Sequence, residues 1–104
     1  MNTLSDIAKT VAQSTDFQIN KRKLQERIQT EQHFVYRGGL FKATPEIIAF
    51  AATWPDDKLY IEDTYNNPIL VERTEFLNAA REKYSEVMNS WHIQVDELRR
   101  IRRL

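Results

Sequence analysis

Two pairs of side chains sit at a spacing that could support chemistry, and both stop short of a site. His92 and Asp96 are four residues apart and would meet on one helix face, as would Glu82 and Glu86. An imidazole beside a carboxylate begins a general base or a metal site, but two groups alone complete neither. The glutamate pair reads as an exposed, solvated helix face. His33 stands at the start of a predicted strand with no second ligand near it in the chain. Gly38-Gly39 lacks the further glycine spacing and the following Lys-Ser/Thr that cradle phosphate, and reads instead as a turn. There is no cysteine, so disulfides, thiol catalysis and thiolate metal sites are excluded. No residue is therefore assigned a catalytic, metal-binding or cofactor-binding role. The expectation is a protein that is not an enzyme and takes no cofactor or small-molecule substrate.

Charge is the second possible source of function. The chain balances 15 basic against 15 acidic side chains, yet distributes them unevenly. From Thr44 to Glu86 nine acids face four bases, a net of −5. Lys21, Arg22, Lys23 and Arg27 form one basic cluster, and Arg99, Arg100, Arg102 and Arg103 form another near the carboxy terminus. Either cluster could contact nucleic-acid phosphates, or an acidic protein surface such as the middle of another copy. Arginines at a helix carboxy terminus are also favoured by the helix dipole. Zero net charge and the absence of a nucleic-acid motif favour the protein partner over nucleic acid.

The element that must position the second cluster is a long helix. Leu77, Ala80, Tyr84, Val87, Trp91, Gln94, Leu98 and Ile101 recur with strict 3-4 spacing, and Met88 and Val95 widen the stripe. No Pro or Gly interrupts Thr74 to Leu104. At ~1.5 Å per residue, the stretch from Phe76 onward would make a rod about 43 Å long. A compact domain of this size has a radius of gyration near ~13 Å, so the helix is expected to overhang its domain. Leu77, Tyr84, Val87, Met88, Trp91, Gln94, Val95, Leu98 and Ile101 are accordingly the expected protein interface. Trp91 and Tyr84 could stack on bases, but their heptad positions explain them without nucleic acid. Gln94 either sets register as a polar layer or marks where the seam meets solvent.

The rest of the chain predicts an α+β fold with two β-hairpins flanking a short helix. Leu4, Ile7, Ala8 and Val11 suggest a short helix after a Thr3 or Ser5 cap, with a break at Ser14-Thr15-Asp16. Asn20 would cap a second helix to about Glu31, with Leu24 and Ile28 its only clear apolar pair; that is too little to sheath the whole carboxy-terminal seam. Gly38-Gly39 predicts a two-residue hairpin turn pairing Arg37 with Leu40 and Tyr36 with Phe41. Alternation then puts Phe34, Tyr36, Phe41 and Ala43 on the core face. Thr44-Pro45 reads as a helix start, with the helix running to Trp54 and stopping at Pro55. Leu59–Thr64 and Pro68–Val71 predict a second hairpin around Tyr65-Asn66-Asn67, of unassigned register.

At 104 residues this is room for one small domain, spanning 1–104, with 74–104 extending from it. The amino terminus carries Asp6 and Lys9 where a signal peptide would be apolar, and no segment has the length of a membrane span. The expected location is the cytoplasm, with no membrane partner. The blocks Gly39–Ile48, Tyr65-Asn66-Asn67-Pro68-Ile69 and Glu86-Val87-Met88-Asn89 resemble small accessory proteins of T4-like tailed phages, over roughly Gly39 to Arg103. The resemblance implies a virion, assembly or replication accessory role, in host cytoplasm or virion, and carries no catalytic residues. The expected function is a protein-interaction module that oligomerises or docks through its carboxy-terminal helix. The alternative is a nucleic-acid-associated accessory protein using the two basic clusters.

Overall fold

The computed structural model describes residues 4–103, with the side chains of Ser5, Thr10, Val11, Ala12, Arg102 and Arg103 outside the description. Three helices and two hairpins follow in the order α1 (Leu4–Glu31), β1 (His33–Tyr36), β2 (Gly39–Lys42), α2 (Pro45–Thr53), β3 (Lys58–Glu62), β4 (Pro68–Glu72) and α3 (Arg73–Arg103). The fold is α+β, with two hairpins flanking a short helix and a long carboxy-terminal helix. Each hairpin is its own two-stranded antiparallel sheet. Extents of 67 × 22 × 19 Å and a radius of gyration of 19.8 Å describe a rod with a thick end. We call the thick end the head and the paired helices beyond it the stalk.

The head closes around Phe76 in the first turns of α3. Its ring lies 5.6 Å from Phe34, 5.5 Å from Tyr36 and 5.1 Å from Phe41, the last two edge-on. Leu59, Ile61 and Val71 from the second hairpin, Ala51 from α2, and Leu77 and Ala80 from α3 complete the core. The first hairpin thus presents the face expected of it. Its turn, however, is Arg37-Gly38 rather than Gly38-Gly39, pairing Tyr36 with Gly39, Val35 with Leu40 and Phe34 with Phe41. Arg37 and Gly38 both take positive φ, 47° and 81°, as a turn matched to strand twist requires. Gly39 is needed for a different reason: a Cβ there would come within 2.8 Å of Ile69 Cγ1 and 2.9 Å of the Phe41 ring. The register moves by two, an even number, so every side chain keeps its face.

The short helix starts as expected. Thr44 Oγ1 accepts a hydrogen bond from the Ile47 amide, Pro45 opens the first turn, and Trp54 caps the end. The second hairpin pairs Tyr60 with Leu70 and Ile61 with Ile69, and β4 runs directly into α3. Glu72 caps that helix, its carboxylate accepting from the amides of Thr74 and Glu75. A negative charge there also suits the helix dipole.

The expected break at Ser14-Thr15-Asp16 does not occur, and α1 is one helix of 28 residues. Between Leu4 and Glu31 there is no Gly or Pro, and Ser, Thr and Asp each cost only tenths of a kcal/mol, of order ~0.5, inside a helix. Packing against α3 offsets that cost. Ser14, Phe17, Lys21, Leu24 and Ile28 repeat at 3-4 spacing, and four of the five are at least half-buried. The Thr3 cap and the Leu104 helix end lie outside the described residues, as do the side chains of Ser5 and Val11.

Candidate functional site

The stalk holds most of the residues singled out in the sequence. The carboxy-terminal end of α1 and the start of α3 both meet at the head, so the two helices run antiparallel away from it. Leu24, Ile28 and Val87 form a buried cluster, with Trp91, Val95 and Leu98 packed against it. The seam of α3 therefore has a partner within its own chain. Leu77 belongs to the head core and Val87 to this cluster, and both are buried. Tyr84, Met88, Trp91, Gln94, Val95 and Leu98 are half-buried, while Ile101 is 68% exposed. The thin apolar face of α1 leaves the far end of the seam open.

Gln94 is a polar layer held from both helices. It accepts a hydrogen bond from Arg27 Nη2 across the stalk and donates to the carbonyl and hydroxyl oxygens of Ser90. Arg27 also lies 3.7 Å from Glu31. Arg27 is therefore engaged within the stalk. Beyond it a groove opens between the helices, floored by Leu24, Leu98 and Ile101 and rimmed by Lys23 and Glu97. Trp91 contributes a buried indole Nε1 with no hydrogen-bond partner among the described residues.

Antiparallel pairing brings the two basic clusters, 72 residues or more apart in sequence from Arg27 to Arg99, to the same half of the rod. Lys21, Arg22, Lys23, Arg27, Arg99 and Arg100 are all exposed, and Arg102 and Arg103 lie in the last turn of α3. At about 100° per residue, Lys21 and Arg22 fall on one flank of α1 and Lys23 and Arg27 on the other, so the bases surround the stalk. Residues 4–27 and 87–103 hold nine bases against five acids, whereas residues 28–86 hold six against ten. The stalk is +4 and the head −4. Sequence order shows the acidic middle but not that the two basic segments flanking it share one end of the rod, because that takes the chain folding back on itself.

A second apolar surface lies where α2 meets α3. Ile48, Ala49 and Ala52 line a shallow groove with Tyr84 and Ser85, and Arg81 stands at its rim. Phe50 on α2 and Trp54 at its C-cap, their rings 5.6 Å apart, are exposed nearby. From this groove Tyr84, Met88 and Val95 continue along one flank of α3, away from the head.

Asp63 is the polar centre of the head, and sequence reasoning counted it only as an acid. Its carboxylate is buried and accepts from the amides of Tyr65 at 3.0 Å, Asn67 at 2.9 Å and Leu40 at 3.2 Å. The Asn67 bond above all holds its pKa below the usual carboxylate value; burial opposes the shift, and the Leu40 and Tyr65 bonds add to it. The Leu40 bond ties the first hairpin to the second. An aspartate just before Thr-Tyr-Asn-Asn is the signal that could have found it, since Asp side chains bond their own backbone two residues on. Burial likewise raises the Tyr36 phenol, whose oxygen accepts from the Glu72 amide.

The pairs considered for chemistry stay pairs. His92, Glu82 and Glu86 are exposed on α3 and Asp96 half-buried, and His33 bonds through Nδ1 to the Thr30 carbonyl. Among the described residues no three His, Cys, Asp or Glu converge as a metal site. Among them, too, no helix is long and apolar enough to cross a membrane. No family model, curated protein or solved structure matches this chain.

Proposed function

We propose that this protein is a non-enzymatic interaction module that docks onto a protein partner through the stalk. The observation that carries the reading is the seam of α3, which is wider than one helix can cover: Tyr84, Met88, Trp91, Val95 and Leu98 remain half-buried and Ile101 exposed although α1 lies along them. A helix stripe built for a single seam is narrow, whereas a stripe of ~100° or more fits a bundle with further partners. The phage resemblance of Gly39–Ile48 and its companion blocks supports a role for such a module as a virion or assembly accessory protein, working in host cytoplasm or particle.

A second reading, association with nucleic acid, is favoured by the gathering of both basic clusters in one half of the rod. Titrating labelled duplex DNA and single-stranded RNA with the intact chain, at low and physiological salt, separates the two. The docking reading expects no saturable complex at physiological salt. A saturable complex that weakens with salt, and whose salt slope flattens when Lys21, Arg22, Lys23, Arg99 and Arg100 are replaced by Gln, would transfer the assignment to nucleic acid.

A further inference from the structure

Resting on the docking reading, we infer that the partner of the stalk is a second copy of this chain, packed antiparallel so that each basic stalk tip lies along the other copy's acidic head. Two independent features point there. The first is charge: a rod 67 Å long with +4 on its stalk and −4 on its head has an end-to-end complement in its own inverted copy. Parallel pairing would instead stack stalk on stalk and head on head, like charge against like, and such juxtaposition opposes association. The second is the apolar flank of α3. Met88 projects about 100° around the helix from Val87, off the line that meets α1, and is half-buried without belonging to either core cluster; Val95 lies beside it at the edge of the seam, one side of it packed on the α1 cluster.

An antiparallel pair is self-complementary about a two-fold axis, so the contact that residue i makes with j is made again by j with i. Centring the axis between Met88 and Val95 places Met88 of each copy on Val95 of the other. The same register brings Arg99 of one copy beside Tyr84 of the other, at the mouth of the groove between α2 and α3. Glu46, exposed in the first turn of α2, supplies an acid near that groove. The assembly is then a four-helix bundle of two helical hairpins with a head at each end. It is closed, because both copies use one patch.

The absence of cysteine makes the orientation directly measurable. Light scattering of the intact chain at about 100 µM, enough to populate a micromolar complex, should give twice the 12.3 kDa chain mass. Met88→Lys should weaken the dimer at least tenfold while circular dichroism and melting hold, since Met88 is half-buried and packs in neither core cluster. Arg99→Glu with Arg100→Glu should weaken it at low salt and less at high salt. Oxidising a mixture of the Ala49→Cys and Arg99→Cys chains should give the mixed disulfide, with little Arg99→Cys self-coupling. A monomer at every concentration overturns the inference; if that monomer also ignores nucleic acid, docking onto a different protein still stands. A dimer in which Arg99→Cys couples efficiently to itself overturns the antiparallel arrangement. A monomer that binds DNA saturably defeats both this inference and the docking reading.

Discussion

The head and the stalk are built from the same two long helices, yet they are held together in different ways. In the head, Phe76 is fully buried under three aromatic rings from the first hairpin, and α2 and the second hairpin close the remaining sides. In the stalk, α3 meets one helix only, through Leu24 and Ile28, and the next facing positions of α1 are Lys21, Phe17 and Ser14, of which only Phe17 is apolar. The head thus closes its core on every side, even though Phe50, Trp54, Tyr60 and Leu70 stay exposed on its outside, whereas the stalk leaves its own core seam open along one side. Surface that folding does not bury is what remains for association.

The sharpest way to break the contrast is Phe76→Ala. Removing a fully buried Phe deletes the centre of the head and leaves a cavity, at a cost of about 3–5 kcal/mol. A domain of this size has on the order of 5–15 kcal/mol in total, so the melting transition should fall steeply or vanish. Urea unfolding followed by circular dichroism reads the change. A loss near 1 kcal/mol would mean that the head does not organise around this ring.

Which parts of this contrast are legible in the sequence follows from the range of the interactions. Thr44-Pro45 fixes the start of α2 because cap and first turn are one local event. The strict 3-4 pattern of Leu77 to Ile101 likewise marks α3. The turn of the first hairpin misleads by one position because two adjacent glycines serve two purposes: Gly38 supplies positive φ, and Gly39 makes room for Ile69 from a strand 30 residues away. Only tertiary contact separates those roles. The helix break expected at Ser14-Thr15-Asp16 fails for the same reason, since Ser14 and Lys21 interrupt the apolar positions Phe17, Leu24 and Ile28 and the 3-4 period shows only once α3 lies beside it. The shared half of the two basic clusters needs the antiparallel direction of the helices, which neither cluster encodes.

A smaller effect tests how the two hairpins of the head are joined. Asp63→Asn keeps one side-chain oxygen for the Tyr65 and Asn67 amides but turns an amide donor toward the Leu40 N–H. The cross-hairpin bond is lost and the turn survives, so stability should fall by less than in Phe76→Ala. The pH dependence has a definite sign. A carboxylate held below its ordinary value of 3.8 contributes stability that is fully present above that value and is lost as pH falls through the lower folded value. Stability of the unmodified protein should therefore drop as pH falls below about 3.8, and the Asp63→Asn variant should lack that share of the drop. Identical acid profiles would remove Asp63 from its place as the tie between hairpins.

The smallest expected effect lies in the stalk, at Trp91→Phe. The indole N–H is buried without a partner, and a buried unsatisfied donor costs about 1–3 kcal/mol, which phenylalanine relieves. The smaller ring gives up packing worth on the order of 1 kcal/mol at ~25 cal/mol per Å². These terms oppose one another, so melting should shift little in either direction, whereas truncating the same side chain to Ala should destabilise clearly. Trp54, the other tryptophan, is exposed at the end of α2 and serves as an internal reference. Fluorescence of the Phe variant reports Trp54 alone, and the difference spectrum isolates Trp91, which should emit to the blue. A loss well above 1 kcal/mol for Trp91→Phe would show that the N–H has found an acceptor. A bound water, or a stalk packed differently from the two-helix arrangement, would supply one, and repeating the melt at higher protein concentration would tell whether a second copy provides it.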